Sequence, residues 1–165
     1  LKNNQKIPVY ADLVTGQYIK KSFSYCFKNS PGYKAILKLN LLKKSFYFKK
    51  KGKTISIRSI TVQHGKILSQ SFIINKSCAY VSDANKIFSK DLKYFKNLNY
   101  FVVDCLRYIK HPSHYNLEDV LKLTRIIKPK KTILTNLHSD LDYEKLKKKL
   151  PKNILPAYDG MSFAL

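Results

Sequence analysis

Four histidines and one aspartate stand out in this sequence because each follows a predicted strand. The histidines are His64, His111, His114 and His138, and none of them lies within a predicted helix. Asp83 follows another short apolar run. In α/β folds, catalytic groups concentrate on loops at one edge of the sheet, where rigid strands position them. We therefore expect these side chains to converge, and imidazole nitrogens together with a carboxylate are suitable ligands for Zn²⁺ or Mn²⁺.

Each of these residues also has an ordinary structural explanation. A single histidine after a strand is commonly a surface residue or a hydrogen-bonded support, and Asp83 is placed to cap a helix that begins near Asn85. The sequence contains no HxxxH, HExxH or HxHxDH motif, so no single segment supplies several ligands at a recognised spacing. The residue pattern alone leaves both a metal site and a structural role open.

The elements that must position these residues change character along the chain. Predicted strands cover residues 7–10, 45–48, 54–62, 71–74, 78–81, 100–106, 132–137 and 161–165. Predicted helices cover residues 11–27, 85–95, 116–127 and 139–150. Asn116 and either Ser139 or Asp140 are the expected N-caps of the last two. A β meander followed by strand–helix alternation indicates an α/β fold, a sandwich with a mixed sheet.

The composition narrows the class of protein. The net charge is +22, yet only three of the 32 basic residues are arginine, the side chain that reads bases and phosphates through two parallel hydrogen bonds. The charge therefore fits either a solvated lysine-rich surface or a functional basic patch. No run approaches the roughly 18 apolar residues of a membrane helix. The three separated cysteines fit buried, reduced thiols and a cytoplasmic location.

Several segments occur in an order that resembles a known family. They are Ile7 to Ala11, Gln63-His64-Gly65, Tyr80 to Asp83, Asp104 to Tyr108, His111-Pro112-Ser113-His114, Leu134 to Tyr143, and Pro156 to Met161. These segments are similar to the later part of the metallo-β-lactamase-fold hydrolases that include phosphoribosyl 1,2-cyclic phosphate phosphodiesterase. The resemblance implies an αββα sandwich with mixed sheets, incomplete at its N-terminus. Residues 1–165 would then be the C-terminal portion of a single hydrolase domain.

The resemblance also implies roles for individual residues. His64 would bind one metal ion, and Asp83 would bridge two. His114 corresponds to a histidine proposed to act near the leaving group, so it is the expected catalytic residue. The family's fifth metal motif has a histidine directly after the threonine of its strand. This chain has Asn136 there, and either Asn136 or His138 is the expected metal ligand.

The implied reaction is hydrolysis of a phosphodiester, such as a cyclic phosphate, by water activated between two divalent ions, Zn or Mn. Arg107 and His111 are expected to bind the small phosphorylated substrate. The family's HxHxDH motif is absent and Leu1 is not a methionine, which together predict a truncated and inactive fragment. Two alternatives stay open: an RNA-processing hydrolase similar to a tRNA 3′-end nuclease, and a non-enzymatic basic binding module. A homodimer is also left open.

Overall fold

The computed structural model describes residues 5–50 and 52–165, which form two compact units. The first unit comprises the described residues up to Lys43. In it, strand β1 (Ile7–Ala11) pairs in parallel with strand β2 (Leu37–Leu41). Helices α1 (Leu13–Ser22) and α2 (Ser24–Phe27) connect the two strands.

Helix α1 begins where Asp12 caps it. The Asp12 carboxylate accepts a hydrogen bond from the backbone N–H of Thr15 at 3.0 Å, which satisfies one of the free donors of the first turn. The prediction of one continuous helix over residues 11–27 is wrong. The backbone leaves the helical region at Phe23, where φ is −119° and ψ is 41°, so the segment divides into two helices.

The second unit, from Lys44 onwards, is built on a seven-stranded mixed sheet. Its strands are β3 (Ser45–Lys50), β4 (Lys53–His64), β5 (Ile67–Ile74), β6 (Cys78–Val81), β7 (Tyr100–Asp104), β8 (Lys131–Thr135) and β9 (Ile154–Pro156). The strands lie side by side in chain order, with β3 and β9 at the two ends. Neighbours from β3 to β6 are antiparallel, and neighbours from β6 to β9 are parallel. The predicted α/β class with a mixed sheet is confirmed.

Helix α3 (Leu117–Ile127) covers one face of the parallel strands. Asn116 caps it as predicted, because its side-chain oxygen accepts a hydrogen bond from the backbone N–H of Asp119 at 2.9 Å. Its buried side includes Val120 and Ile127, which belong to the main core of the unit. Burial of each such side chain stabilises the fold by roughly 1.5–3 kcal/mol.

Two predicted helices begin later than the sequence pattern indicates. Residues 85–95 contain only a 3₁₀ helix, Ser89–Tyr94. The Asn85 backbone N–H donates to the Gln63 carbonyl, and the Gln63 N–H donates to the Lys86 carbonyl, both at 2.9 Å, so this segment pairs with β4 instead of coiling. Helix α4 spans Tyr143–Lys149, and its cap is Asp142 rather than Ser139 or Asp140.

The prediction of a C-terminal strand over residues 161–165 is wrong. The last strand is β9, and residues 161–165 have no regular secondary structure. Phe163 instead stacks on Tyr100, with ring centroids 4.2 Å apart. In the described part of the chain, no helix is long and apolar enough to cross a membrane.

The strand directions explain why chemistry collects in one place. β6, β7 and β8 are parallel, so their carboxyl ends meet at one edge of the sheet. β4 runs in the same direction as β6, because each is antiparallel to β5, which lies between them. The residues that follow β4, β6, β7 and β8 therefore share an edge, called the site edge below.

Candidate metal centre

Three side chains at the site edge present their donor atoms to one another. One ligand atom each from His64, Asp83 and His114 lies within 4.8 Å of the other two. The Nε2 atoms of the two histidines are 3.3 Å apart, and their rings meet edge to face. Two imidazole nitrogens on one tetrahedral zinc ion, each about 2.0–2.1 Å from it, are separated by about 3.3 Å. This donor set therefore fits a divalent ion in spacing and in chemistry.

His114 is oriented by a buried carboxylate. Its Nδ1 atom is hydrogen-bonded to Asp104, whose side chain is fully buried at the end of β7. The same Asp104 oxygen accepts a hydrogen bond from the Ala84 backbone N–H at 3.3 Å, while the other oxygen has no partner among the described residues. Burial raises the pKa of Asp104, and the hydrogen bond to His114 opposes that shift. The contact at Nδ1 leaves Nε2 of His114 facing His64.

Asn85 ties the histidine loops together. Its side-chain oxygen accepts a hydrogen bond from the Gly65 N–H, and its amide nitrogen donates to the Pro112 carbonyl, each at 3.0 Å. Gly65 follows His64 and has a φ of +62°, in the left-handed region. A Cβ atom on Gly65 would lie 3.0 Å from the Cβ of Ser113, so the two loops approach as closely as glycine allows.

Asp83 itself occupies a left-handed turn. Its φ is 49°, a conformation that aspartate tolerates better than most residues because its short side chain can bond locally. The Ser69 hydroxyl donates to the Asp83 carbonyl at 2.6 Å and fixes that turn. Asp83 does not cap a helix near Asn85, since the chain there pairs with β4. Its carboxylate is exposed at the site edge.

The remaining predicted site residues lie outside the three-donor group. His138 is 59% exposed and pairs with Asp140 at 3.1 Å. Asn136 is exposed, with a φ of 57°. The Arg107 guanidinium donates to the carbonyls of Ile109 and Lys110, at 3.2 and 2.9 Å. The last two contacts show that this arginine shapes its own loop.

His111 lies beside the group without joining it. Its ring centroid is 5.1 Å from that of His114, and its Nδ1 accepts a hydrogen bond from the Ser113 backbone N–H at 3.3 Å. Burial and then the neighbouring Arg107 charge lower the pKa of His111. A histidine with a lowered pKa is mainly neutral at physiological pH.

Residues 1–136 match the family described as Beta-lactamase superfamily domain, a stretch that covers most of the sequence. The chain belongs to the β-lactamase superfamily. No curated protein matches this superfamily member significantly.

Three solved structures illustrate the fold of this superfamily member. A diphosphatase from the PhnP family is 24% identical, with a TM-score of 0.82 over 95% of this chain and 57% of that one. The short form of human tRNase Z is 11% identical, with a TM-score of 0.62 over 96% of this chain and 66% of that one. Zn²⁺-bound PqqB from Methylobacterium extorquens is 10% identical, with a TM-score of 0.69 over 99% of this chain and 66% of that one. The chain thus spans less than two thirds of each, and these likenesses establish the metallo-β-lactamase fold.

Two residues of the site, Asp104 and Asn85, were not predicted from the sequence. A carboxylate that ends the apolar run Tyr100 to Val103 is nevertheless an unusual signal. Burying a carboxylate costs free energy unless a hydrogen-bonded partner offsets it, so such a residue indicates a partner nearby. Asn85 carried no comparable signal, because its neighbours resemble an amphipathic helix and its partners are 20 and 27 residues away.

Proposed function

We propose that this chain provides part of the active site of a metal-dependent hydrolase that cleaves phosphodiesters. The observation that carries the proposal is the three-donor group of His64, Asp83 and His114 at the site edge. His64 and Asp83 would hold the metal. A bound divalent ion in such a site supplies a nucleophilic water near neutral pH and neutralises charge on phosphate oxygens. A small cyclic-phosphate-like diester is the substrate class we favour.

His114 is proposed to handle the proton. Its Nε2 atom faces the donor group, and its Nδ1 atom is held by Asp104. A histidine fixed in this way can give a proton to the oxygen that leaves phosphorus, with the buried carboxylate keeping the ring in position. The same nitrogen is also close enough to serve as a ligand, and the two roles differ in what removal of His114 does to bound metal.

The metal-binding part of the proposal is tested by zinc titration against a chromophoric chelator. His64→Ala and Asp83→Asn should each weaken binding at least tenfold, because each removes one of the two side chains proposed to hold the metal. His138→Ala is the matched control and should change affinity less than twofold, since His138 pairs with Asp140 outside the group. Equal effects at His64 and His138 would remove the proposed centre.

The hydrolytic part needs a separate assay. The 165 residues contain no HxHxDH motif, so we propose that on their own they bind metal weakly and do not turn over phosphodiesters. Bis(p-nitrophenyl) phosphate reports both activity and its dependence on added Zn²⁺ or Mn²⁺. If a metal-defined preparation of the 165 residues hydrolyses this substrate and Asp83→Asn abolishes the hydrolysis, the proposed reaction is supported and the proposed inactivity is wrong.

An RNA-processing hydrolase is the second candidate, favoured by the net charge of +22. Binding of a polyanionic strand releases counterions, so its affinity falls steeply as salt rises. A small cyclic phosphate makes few ionic contacts, so its binding should depend only weakly on salt. Measuring both affinities between 50 and 200 mM salt, roughly the range over which strand binding is lost, therefore separates the two substrates.

A further inference from the structure

A cavity lies in the same unit as the candidate metal centre, far along β4 from the site edge. It has a volume of about 400 Å³, within the range of roughly 300–1,000 Å³ typical of small-molecule sites. Of the β4 residues that line it, Arg58 lies nearest the site edge, and it is six residues before His64, about 20 Å along the strand at roughly 3.3 Å per residue. The cavity is therefore distinct from the proposed active site.

The lining of this cavity combines cations with flat surfaces. Arg58, Lys76 and Lys96 surround it, and no carboxylate is among the described residues that line it. The Arg58 guanidinium lies over the ring of Tyr94, 4.6 Å from its centroid, and is thereby held flat. Tyr47 also lines the cavity and is 69% exposed, so its ring is open to a ligand.

The rest of the lining is apolar or hydroxylic. Ile57, Ile73 and Leu98 form apolar surface, and Ser45 and Ser56 supply hydroxyl groups from paired strands β3 and β4. A ligand that satisfies all of these features has a planar apolar part, hydroxyl groups and a negative charge. Bases stack on tyrosine rings and on guanidinium planes, while lysines and arginines attract phosphate.

We propose that this cavity binds a nucleotide, with its base on the surface formed by Tyr47 and Arg58 and its phosphate near Lys76 and Lys96. The nucleotide is either a free mononucleotide or one unit of a single strand, because the chemistry of recognition is the same. The proposal does not depend on the hydrolytic function proposed above. It gives part of the positive charge a specific use, which an evenly solvated lysine surface would not have.

The test uses adenosine 5′-monophosphate and isothermal titration calorimetry in EDTA, so that no metal ion at His64 can bind the phosphate. Adenosine and ribose 5-phosphate should each bind at least about tenfold more weakly than the nucleotide, since each lacks one recognised part. Arg58→Gln and Tyr47→Leu should each lower the affinity for the nucleotide about tenfold. The affinity of Arg58→Lys for the nucleotide should lie between those of the unsubstituted protein and Arg58→Gln, because lysine keeps the charge and loses the flat surface.

Matched controls are available outside the cavity. Arg125→Gln removes an exposed arginine, and Tyr158→Leu removes an exposed tyrosine; both should change affinity less than twofold. A hexa-adenylate that binds more tightly than the mononucleotide, with steep salt dependence, identifies a single strand as the source, and equal affinity identifies the free nucleotide. The proposal is overturned if neither probe binds, if ribose 5-phosphate binds as tightly as the nucleotide, or if Arg58→Gln behaves like Arg125→Gln. Thermal unfolding of each variant confirms that the fold is retained.

Discussion

Replacing Gly65 by alanine tests whether the close approach of the two histidine loops holds the candidate site together. The variant suffers two separate effects. An L-residue at a φ of +62° costs about 1–2 kcal/mol relative to glycine. The new Cβ would also lie 3.0 Å from the Cβ of Ser113 and 3.5 Å from the Pro112 carbonyl, which forces one loop to shift. Overpacking of this kind costs about 1–3 kcal/mol more.

Gly160→Ala separates these effects, because Gly160 has a φ of +87° and no described atom within 4 Å of the added Cβ. Gly160→Ala therefore has the cost of an L-residue in the left-handed region without a steric contact. We expect Gly160→Ala to lower the free energy of unfolding by about 1–2 kcal/mol and Gly65→Ala to lower it by about 2–5 kcal/mol. In a protein of this size each kcal/mol corresponds to roughly 2–4 °C in Tm. Urea and thermal denaturation measure both variants.

The same pair of variants reports on the site. A shift of the loop at Gly65 displaces the neighbouring His64 and weakens the Gly65 hydrogen bond to Asn85. Gly65→Ala should therefore lower zinc affinity several-fold, whereas Gly160→Ala should leave it unchanged. Adding Ser113→Gly to Gly65→Ala removes the facing Cβ and should recover most of the contact cost. If the two alanine variants are equally unstable, or if the serine change rescues nothing, the loops do not constrain each other as argued.

Three further predictions follow from the site and the core. In a catalytically complete form of the protein, His114→Ala should lower kcat by about 10²–10⁴-fold for a substrate with an alkyl leaving group and far less for one that releases p-nitrophenolate. Elemental analysis should find the metal content unchanged. Equal losses of kcat for the two substrates would make His114 a ligand or a support. Asn85→Ala should weaken zinc binding more than Asn85→Asp, because aspartate keeps an acceptor for the Gly65 N–H. Calorimetric titration measures both affinities. The opposite order would mean that the hydrogen bond from Asn85 to the Pro112 carbonyl matters more. Iodoacetamide should label the half-buried Cys26 first at pH 8. Burial raises the pKa of Cys78 to about 11 and of Cys105 to about 12, so these two residues have little reactive thiolate. If mass spectrometry finds all three cysteines labelled at one rate, this prediction is wrong.

The convergence of His64 and Asp83 was predictable because it depends on strand direction. Each residue follows a strand that is visible as an alternating or apolar run, and two strands that are both antiparallel to the strand between them run in the same direction. His114 was expected at the same edge, because its loop follows the strand at residues 100–106, but its hydrogen bond to Asp104 was not predicted. The histidine lies ten residues beyond Asp104, in a loop whose path is set by long-range hydrogen bonds and has no periodicity to read.

The missed elements share a physical reason. Residues 85–95 have the apolar spacing of a helix, but the backbone groups of Asn85 and Lys86 are hydrogen-bonded to Gln63 and are therefore not available for helical hydrogen bonds. Strand β9 is only three residues long and ends in Pro156, so neither length nor alternation marked it. In both cases tertiary partners that lie far away in the sequence decide the local structure, and propensity is a weak guide there.

The position of β3 at one end of the sheet has a consequence for how this protein behaves in concentrated solution. Its run Phe46 to Phe48 is aromatic, and a strand of that kind at the end of a sheet can be a template for pairing with another copy. Exposed Lys44 and Lys49 flank the run. Two such edges that approach each other bring like charges together, which opposes cross-β association. Salt screens this repulsion over a Debye length of about 8 Å at physiological ionic strength. The protein should therefore stay monodisperse at low salt and form thioflavin-positive aggregates sooner as salt is added.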